Sequence, residues 1–357
     1  MQILYKKMKA LWCFNDDYFI GYRKCRFYKC YLNRHEIEYI CDLPIGMLKK
    51  FCSVTRIMER AIHINPRAVI KLNNDSILIG ISGNIYRLMI KEKKIIHEHS
   101  FSKEMSSPLM FAKIQNLRGF KDSVIYGEYT NQTEQHAISI YSRGLNINDK
   151  WEKCYTFKTG LIQHIHGFII NSDKANIIIM TGDSDNESGF WKAENNFSHV
   201  ESIIIGSQRY RACVGMLSNC GMIYATDNPY AQNYIYEFCF NKEPVLKKIV
   251  QINGTVINGI MFKDKLYLST TVESIPFTKN WQKFLPRRLA RGVKDRNVEI
   301  ITCDADGNIN NILNLEKDNL FMPLFQFGMV EFCQTDGNKL LCNPIAVKKY
   351  DNCVIEL

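Results

Sequence analysis

The chain has 357 residues, of which 46% are hydrophobic, so it can bury a large core and is not a disordered protein. It contains no run of about 18 apolar residues that could cross a membrane, and residues 1–20 lack the apolar stretch of a secretory signal. The 13 cysteines have no CxxC or zinc-ribbon spacing, which predicts free thiols and a cytoplasmic location. The net charge of +10 suits an anionic partner: nucleic acid, anionic lipid or acidic polysaccharide.

Short β-type runs closed by Asn, Asp or Gly recur along the chain, beginning near residues 17, 76, 123, 176, 221, 265 and 339. Between Ile77 and Leu266 they recur every 44 to 53 residues, which is the spacing of four-stranded propeller blades. The sequence therefore predicts one all-β domain over residues 1–357, a β-propeller of six or seven blades, depending on whether the chain ends share a blade. A pair of β-sandwiches with irregular spacing is the alternative.

Helical periodicity is confined to residues 43–61 and 279–296, which we interpret as short helical insertions. In the second stretch four apolar residues share one helical face: Trp281, Phe284, Leu285 and Leu289. Seven of its 18 residues are Lys or Arg against one acid, Asp295, and Pro286 predicts a break or kink. Each insertion either caps the propeller with a solvated basic face or contacts an anionic membrane or acidic glycan.

Two histidines lie in the stretch 163–191, which holds the densest set of chemically capable side chains in the chain. If this part is extended, His164 and His166 point to one face and Ile165 points to the other. Two imidazoles on one face form either a proton-transfer pair or half of a metal site. With a neighbouring carboxylate, His164 or His166 would suit a divalent metal ion. A pair of hydrogen-bonded histidines is the alternative.

Acidic residues follow several of the predicted strands. Asp183 and Glu187 come just after the fourth run, and Glu128, Asp227 and Glu273 follow other runs in the same way. Equivalent strand ends of successive blades would surround one mouth of a propeller's central channel, so these distant acids would meet in one site. The alternative is that each acid ends its strand and solvates a turn.

The segment 206–212, GSQRYRA, adds cations and a phenol. If it is extended, Gln208 and Tyr210 share one face, and Arg209 and Arg211 lie on the other. Arginine holds a carboxylate or phosphate through two parallel hydrogen bonds, and tyrosine can donate a proton or act as a nucleophile. The alternative is that these arginines pack a blade edge and pair with surface acids.

Six segments between residues 126 and 273 form a set: GEY at 127–129, IYSRGLNINDKWE at 140–152, HIHG, TGDSDNESGFW, GSQRYRA and ATD. Together they resemble the BNR-repeat, sialidase-like propeller proteins, members of which occur in bacteria with surface-polysaccharide genes. The second segment is similar to the Asp box S-x-D-x-G-x-x-W in Ser142 and Trp151, but departs from it at residues 143–146. The arginine triad and nucleophile pair of sialidases do not map onto this sequence, and its His, Tyr and Arg residues resemble those of propeller polysaccharide lyases better.

These patterns and the resemblance predict a carbohydrate-active propeller that acts on an acidic bacterial surface polysaccharide or its precursor, as a glycoside hydrolase or a polysaccharide lyase. The predicted catalytic residues are Glu128, His164, His166, Asp183 and Glu187. The predicted substrate-binding residues are Gln208, Tyr210, Arg211, Asp227 and Glu273.

The predicted cofactor is a divalent metal ion held by His164 or His166. The predicted partners are an oligo- or polysaccharide and, at the periphery, an anionic membrane. Nucleic acid is not expected, because aromatic and basic residues do not alternate on the strands as they do in an RNA-binding sheet. The competing hypothesis is a non-catalytic propeller that binds glycan or scaffolds a polysaccharide-assembly complex.

Overall fold

Strands dominate the computed structural model, which describes residues 2–130, 134–240, 244–275, 280–285 and 288–357. Within these ranges the side chains of Leu48, Lys49, Cys52, Asn280 and Lys283 are outside the description. Strand β1 spans Gln2–Lys6, and the strands of the first blade, β2–β5, span Lys9–Phe14, Tyr18–Arg23, Arg26–Tyr31 and Ile37–Asp42. The second blade, β6–β9, spans Ala68–Asn73, Ser76–Ile81, Asn84–Met89 and Lys94–Ser100.

The later blades follow the same order along the chain. Strands β10–β13 span Phe111–Ile114, Ser123–Gly127, Ile138–Gly144 and Glu152–Phe157. Strands β14–β17 span His164–Asn171, Asn176–Gly182, Gly189–Glu194 and His199–Ile205. Strands β18–β21 span Ala212–Leu217, Gly221–Thr226, Asn233–Cys239 and Val245–Ile252. Strands β22–β25 span Thr255–Phe262, Lys265–Thr271, Asn297–Asp304 and Ile309–Glu316.

The last strands, β26–β29, span Met329–Phe332, Gln334–Thr335, Leu341–Ile345 and Cys353–Glu356. Strands β26, β28 and β29 are completed by β1 from the other end of the chain, and the short β27 adds an edge to the first blade beside β2. The fold is a seven-bladed β-propeller with few helices, which confirms the predicted class. The chain ends do share a blade, so the number is seven rather than six.

The recurring apolar runs are the second strands of their blades. Strands β7, β11, β15 and β19 are buried at every position, because neighbouring strands and sheets cover both of their faces. Burial on both faces selects continuous apolar residues rather than an alternating pattern. The spacing of these strands along the chain therefore reports the length of one blade.

The chain divides into two compact units, each described by itself. The first unit comprises residues 1–64, 93–95 and 218–357, and the second comprises residues 65–92 and 96–217. In the second unit the first strands of successive blades pack on one another, β6 on β10 and β10 on β14. Its main core fills the space between sheets with Ile125, Ile140, Phe157, Ile165 and Trp191 among others.

Within the described ranges three short α-helices accompany the strands: α1 (Met47–Cys52), α2 (Arg56–Ile62) and α3 (Met322–Phe325). Residues 43–61, predicted to be helical, contain α1 and most of α2. In the described part of residues 279–296 the helical element is a 3-10 helix, Asn280–Phe284, and Leu289 forms a β-bridge with Ser274 instead of continuing a helix. No helix in the described ranges is long and apolar enough to cross a membrane.

One pair of cysteines is oxidised. Cys220 precedes β19, and its neighbour Gly221 pairs with Cys239 on β20, so the two Cα atoms are 4.8 Å apart and a disulfide joins the cysteines. The expectation of free thiols throughout is wrong for this pair. Ten other cysteines in the described part of the chain are free.

Candidate functional site

The two predicted histidines lie at the start of β14, opposite the end of β15. Ile165 and Gly167 pair with consecutive residues of β15, so His166 is the extra residue of a β-bulge. A bulge bends its strand and redirects a side chain. Here the Nε2 atoms of His164 and His166 both lie 3.2 Å from Oδ1 of Asp183. The prediction that the two imidazoles point to one face is confirmed.

Backbone carbonyl groups fix the protonation of both rings. Nδ1 of His164 lies 3.1 Å from the carbonyl oxygen of Thr130, and Nδ1 of His166 lies 3.1 Å from that of Ala212. A carbonyl oxygen only accepts, so each Nδ1 carries the proton and donates it. When such a ring is neutral, its Nε2 presents a lone pair toward Asp183.

With both rings neutral, three hydrogen-bond acceptors would converge on one point, so either a proton or a metal ion is needed between them. His166 is placed to form an aligned hydrogen bond to Oδ1 of Asp183, which requires a proton on its Nε2. His164 is 1% exposed, and its Nε2 has no aligned hydrogen bond among the described residues despite the short contact with Asp183. The cluster therefore needs either a shared proton or a bound metal ion.

Asp183 is held in place by two residues of the loop that enters β18. Arg211 contacts Oδ1 of Asp183 through Nη2 at 2.7 Å and donates from Nη1 to its carbonyl oxygen at 3.1 Å. Gln208 donates from Nε2 to the same carbonyl oxygen at 2.6 Å. The Asp183 side chain is 35% exposed, so this carboxylate faces solvent while the histidines lie beneath it.

The environment lowers the pKa values of His164 and Asp183. Burial lowers the pKa of His164, although the Asp183 carboxylate acts in the opposite direction. For Asp183, burial alone would raise the pKa, but His164, His166 and Arg211 outweigh it and hold the pKa well below its usual range. At neutral pH the cluster therefore combines an ionised carboxylate with a neutral imidazole, which are the forms that bind metal ions.

Two residues that were not predicted to belong to the site lie beside it. The ring of Tyr129 stacks on His164, with centroids 4.1 Å apart and planes 20° apart, and the guanidinium of Arg67 lies 4.6 Å from the Tyr129 centroid. Tyr129 stands in the GEY segment noted above, but its ring contact with a residue 35 positions later has no local signature. Arg67 follows a proline before β6 and gives no sequence signal at all.

The other predicted carboxylates of the second unit are engaged elsewhere. Oε2 of Glu128 accepts from the backbone N–H of Ser139 at 2.7 Å, and burial raises the pKa of Glu128. Oε2 of Glu187 accepts from the N–H of Ser184 at 3.3 Å, within its own turn. Both contacts are of the kind that fixes a strand end or a turn.

The segment 206–212 is not extended as predicted. Gly206 has a φ of +104°, and the Ser207 side chain accepts from the N–H of Arg209, which starts a 3-10 helix over Gln208–Tyr210. This turn separates the two arginines, so Arg209 is exposed and Arg211 is buried. The ring centroid of Tyr210 lies 6.1 Å from that of Phe190.

Two predicted site residues belong to the first unit. Asp227 follows β19 and is buried. Glu273 follows β23, is also buried, and accepts from Oγ1 of Thr255 at 2.5 Å.

The donor set of the second unit suits a divalent first-row metal ion. His164, His166 and Asp183 offer two imidazole nitrogens and one carboxylate oxygen, all within 4.8 Å of one another. Ligands bound to one ion at about 2.1 Å lie roughly 3.0–3.4 Å apart, which matches the two 3.2 Å separations. Carbonyl bonds at both Nδ1 atoms orient the rings as metal-binding histidines usually are.

No family model and no curated protein matches this chain. Among solved structures, an oligogalacturonate lyase in complex with manganese is similar, with 7% identity and a TM-score of 0.51, covering 97% of this chain and 90% of the other. A chain of a mitotic checkpoint complex has 9% identity and a TM-score of 0.51, covering 99% and 92%. Regucalcin from Agrobacterium tumefaciens, titled a calcium-binding protein, has 10% identity and a TM-score of 0.46, covering 78% and 88%. At these identities the similarity concerns the fold alone.

Proposed function

We propose that His164, His166 and Asp183 hold a divalent metal ion, and that the protein is a carbohydrate-active enzyme that cleaves an acidic glycan by elimination. The observation that carries the proposal is the meeting of three acceptors at 3.2 Å, with both Nδ1 protons donated to carbonyl groups. The buried Nε2 of His164, which has no aligned hydrogen bond in the described part of the chain, fits a metal ligand.

The residues around the cluster have distinct roles in this proposal. Gln208 and Arg211 position Asp183 through its carbonyl and carboxylate oxygens. Tyr129 covers the His164 ring and also contacts the exposed Arg67, whose Nη1 donates to the Ser107 carbonyl. The rest of the Arg67 guanidinium would pair with a carboxylate of the glycan. A bound divalent ion would supply positive charge that stabilises the substrate carboxylate when a proton is removed beside it.

Elimination fits this site better than hydrolysis. A glycosidase needs two carboxyl groups across the cleaved bond, one of them protonated. Asp183 has a strongly lowered pKa. Burial raises the pKa of Glu128, but its Oε2 accepts from the backbone N–H of Ser139, and Glu187 accepts from Ser184 within its own turn, so neither contacts Asp183 among the described residues. Elimination from a uronic acid instead transfers the proton beside the carboxylate to a base, and the C–H electron pair forms a C=C bond. The neighbouring C–O bond breaks with its electron pair on the leaving sugar oxygen, which takes up a proton, so no second carboxylate is needed.

The comparison with solved structures supports the proposal only in part. The oligogalacturonate lyase solved with manganese has a similar fold, but the mitotic checkpoint chain matches with the same TM-score. Fold similarity therefore does not distinguish an enzyme from a binding protein, and the proposal depends on the side chains of the metal cluster. A propeller that only binds glycan remains the competing function, because both imidazoles are almost fully buried.

The test combines metal analysis with product analysis. The full chain, stripped with chelator, would be titrated with Mn²⁺ and with Zn²⁺, and then incubated with polyuronate and with neutral glycan. We expect one ion per chain and metal-dependent release of unsaturated products that absorb in the ultraviolet. New reducing ends without ultraviolet absorbance would indicate hydrolysis. Metal binding with glycan retention but no products would favour the non-catalytic function, and absence of metal binding would overturn the metal site.

A further inference from the structure

Helix α2 of the first unit turns its charged side toward the protein. Arg60 is buried, contacts Oδ2 of Asp318 through Nη1 at 2.5 Å, and donates from Nε to the carbonyl of Phe325 at 2.7 Å. Arg56 contacts Asp351 through Nη2 at 3.0 Å. These arginines are thus neutralised by acids of the protein itself.

The apolar side of the same helix faces outward. Ile57 and Met58 are exposed, although a helix that caps a folded domain normally buries such residues and solvates its arginines. The expectation that this stretch presents a solvated basic face is therefore reversed in α2. A helix oriented in this way presents an apolar surface outward.

The exposed apolar side chains extend beyond α2. Helix α2 packs against α3, and α3 packs against the 3-10 helix Asn280–Phe284. Met47 is 87% exposed and Phe51 is 75% exposed. We call the following set the helical face: Met47, Phe51, Val54, Ile57, Met58, Trp281, Phe284, Leu285 and Phe321, all of them exposed. Apolar groupings of this kind on a folded protein mark an interaction surface.

Exposed cations follow the helical face closely in the sequence. The chain that follows Leu285 carries exposed Arg288, Arg291 and Lys294, in a segment with seven Lys or Arg residues against the single acid Asp295. Exposed apolar side chains combined with exposed cations complement a bilayer that carries anionic headgroups. A purely apolar protein partner would bind the apolar side chains but would leave the cations without a partner.

We infer that the first unit docks on an anionic lipid bilayer through the helical face, with Arg288, Arg291 and Lys294 contacting the headgroups. The inference is independent of the proposed function, since it concerns neither the metal cluster nor the glycan. Docking inserts residues such as Phe51 and Trp281 into the interface between headgroups and acyl chains. The paired Arg56 and Arg60 keep α2 attached to the protein during this contact.

The test is flotation of the full chain with phosphatidylcholine vesicles, with and without phosphatidylglycerol, at about 50 mM and about 500 mM salt. We expect binding to the anionic vesicles at low salt, weakened at high salt. The double variant Phe51→Ser/Trp281→Ser should bind at least about tenfold more weakly. The variant Arg288→Glu/Arg291→Glu should lose both affinity and salt dependence.

A matched control uses two exposed apolar residues of strands in the same unit, Val245 and Met261. The variant Val245→Ser/Met261→Ser should bind like the wild type. The proposal is overturned if the wild type ignores anionic vesicles at low salt, or if the Phe51→Ser/Trp281→Ser variant binds them equally well with an unchanged melting temperature. Equal binding to neutral vesicles would overturn the role of headgroup charge. Self-association without vesicle binding would assign the face to a second copy of the chain instead.

Discussion

The Cε1 atom of His166 lies 2.4 Å from the position that a Cβ atom would occupy on Gly182. Real Cβ contacts are not that short, so the imidazole fills the space that any larger residue at position 182 would need. Gly80 stands near the end of the corresponding strand of the second blade, β7, and a Cβ atom there would make an ordinary contact of 3.5 Å with Phe111. The two glycines therefore form a matched pair for substitution.

Gly182→Ala is expected to displace the His166 ring from Asp183. Overpacking of this kind lowers the free energy of unfolding by about 1–3 kcal/mol, and loss of one ligand weakens metal binding by at least about tenfold. Gly80→Ala should change neither quantity appreciably. Calorimetric titration with Mn²⁺ and urea unfolding would measure both effects. Wild-type affinity and stability in Gly182→Ala would show that the ring is not held in this position.

Asp183→Asn removes the charge that both histidines and Arg211 contact. We expect the free energy of unfolding to fall by about 1–3 kcal/mol, because Arg211 loses its charged partner in a mostly buried position. Metal binding should become undetectable, since a neutral amide is a poor ligand for these ions. Asp185→Asn, an exposed acid two residues along the same loop, serves as the control. Equal behaviour of the two variants would contradict the assigned role of Asp183.

Stability should fall as the solution is acidified, in two stages. The pKa values of His164 and Asp183 are both lowered in the folded protein, so the unfolded chain binds more protons than the folded one. The loss begins near the unfolded pKa of His164, about 6.5, and Asp183 adds to it below about 3.9. Urea unfolding at a series of pH values should therefore show a flatter profile for His164→Gln between about pH 7 and pH 5. Parallel profiles would refute this assignment.

Reduction of the Cys220–Cys239 disulfide is expected to destabilise the first unit. The bond closes a loop with a sequence separation of 19 residues, and a disulfide of this size contributes about 2–4 kcal/mol. The melting temperature of the wild type should fall in the presence of a reducing phosphine, whereas that of Cys220→Ser/Cys239→Ser should not respond. Cys154→Ser, at a free cysteine, should retain the response. Identical wild-type melting in both conditions would argue that the pair is reduced in solution.

The repeat could be predicted from the sequence because a strand that is buried on both faces consists of consecutive apolar residues. Strands β7, β15 and β19 are continuous apolar runs, and their separation follows from the length of one blade. The shared orientation of His164 and His166 could also be predicted, since it depends on neighbouring residues of one strand. The blade number could not be predicted, because it depends on β1 joining strands from the far end of the chain.

The rest of the site depends on contacts between distant residues. The stacking of Tyr129 on His164 and the binding of Arg211 to Asp183 arise from loops of different strands, and neither leaves a periodic pattern. The orientation of α2 could not be predicted either, since it depends on the pairing of Arg56 with Asp351, 295 residues later. A helical pattern identifies two faces, but only these remote acids decide which face is turned inward.

The pairing of β1 with β29 has a consequence for synthesis of the protein. Gln2 pairs with Glu356, and Ile3 pairs with Ile355, so one sheet joins residues from both ends of the chain. The ribosome delivers residues 2–6 long before their partner strand exists. Until residues 353–356 emerge, residues 2–6 therefore lack their partner strand, and the unpaired strand can pair with neighbouring polypeptides.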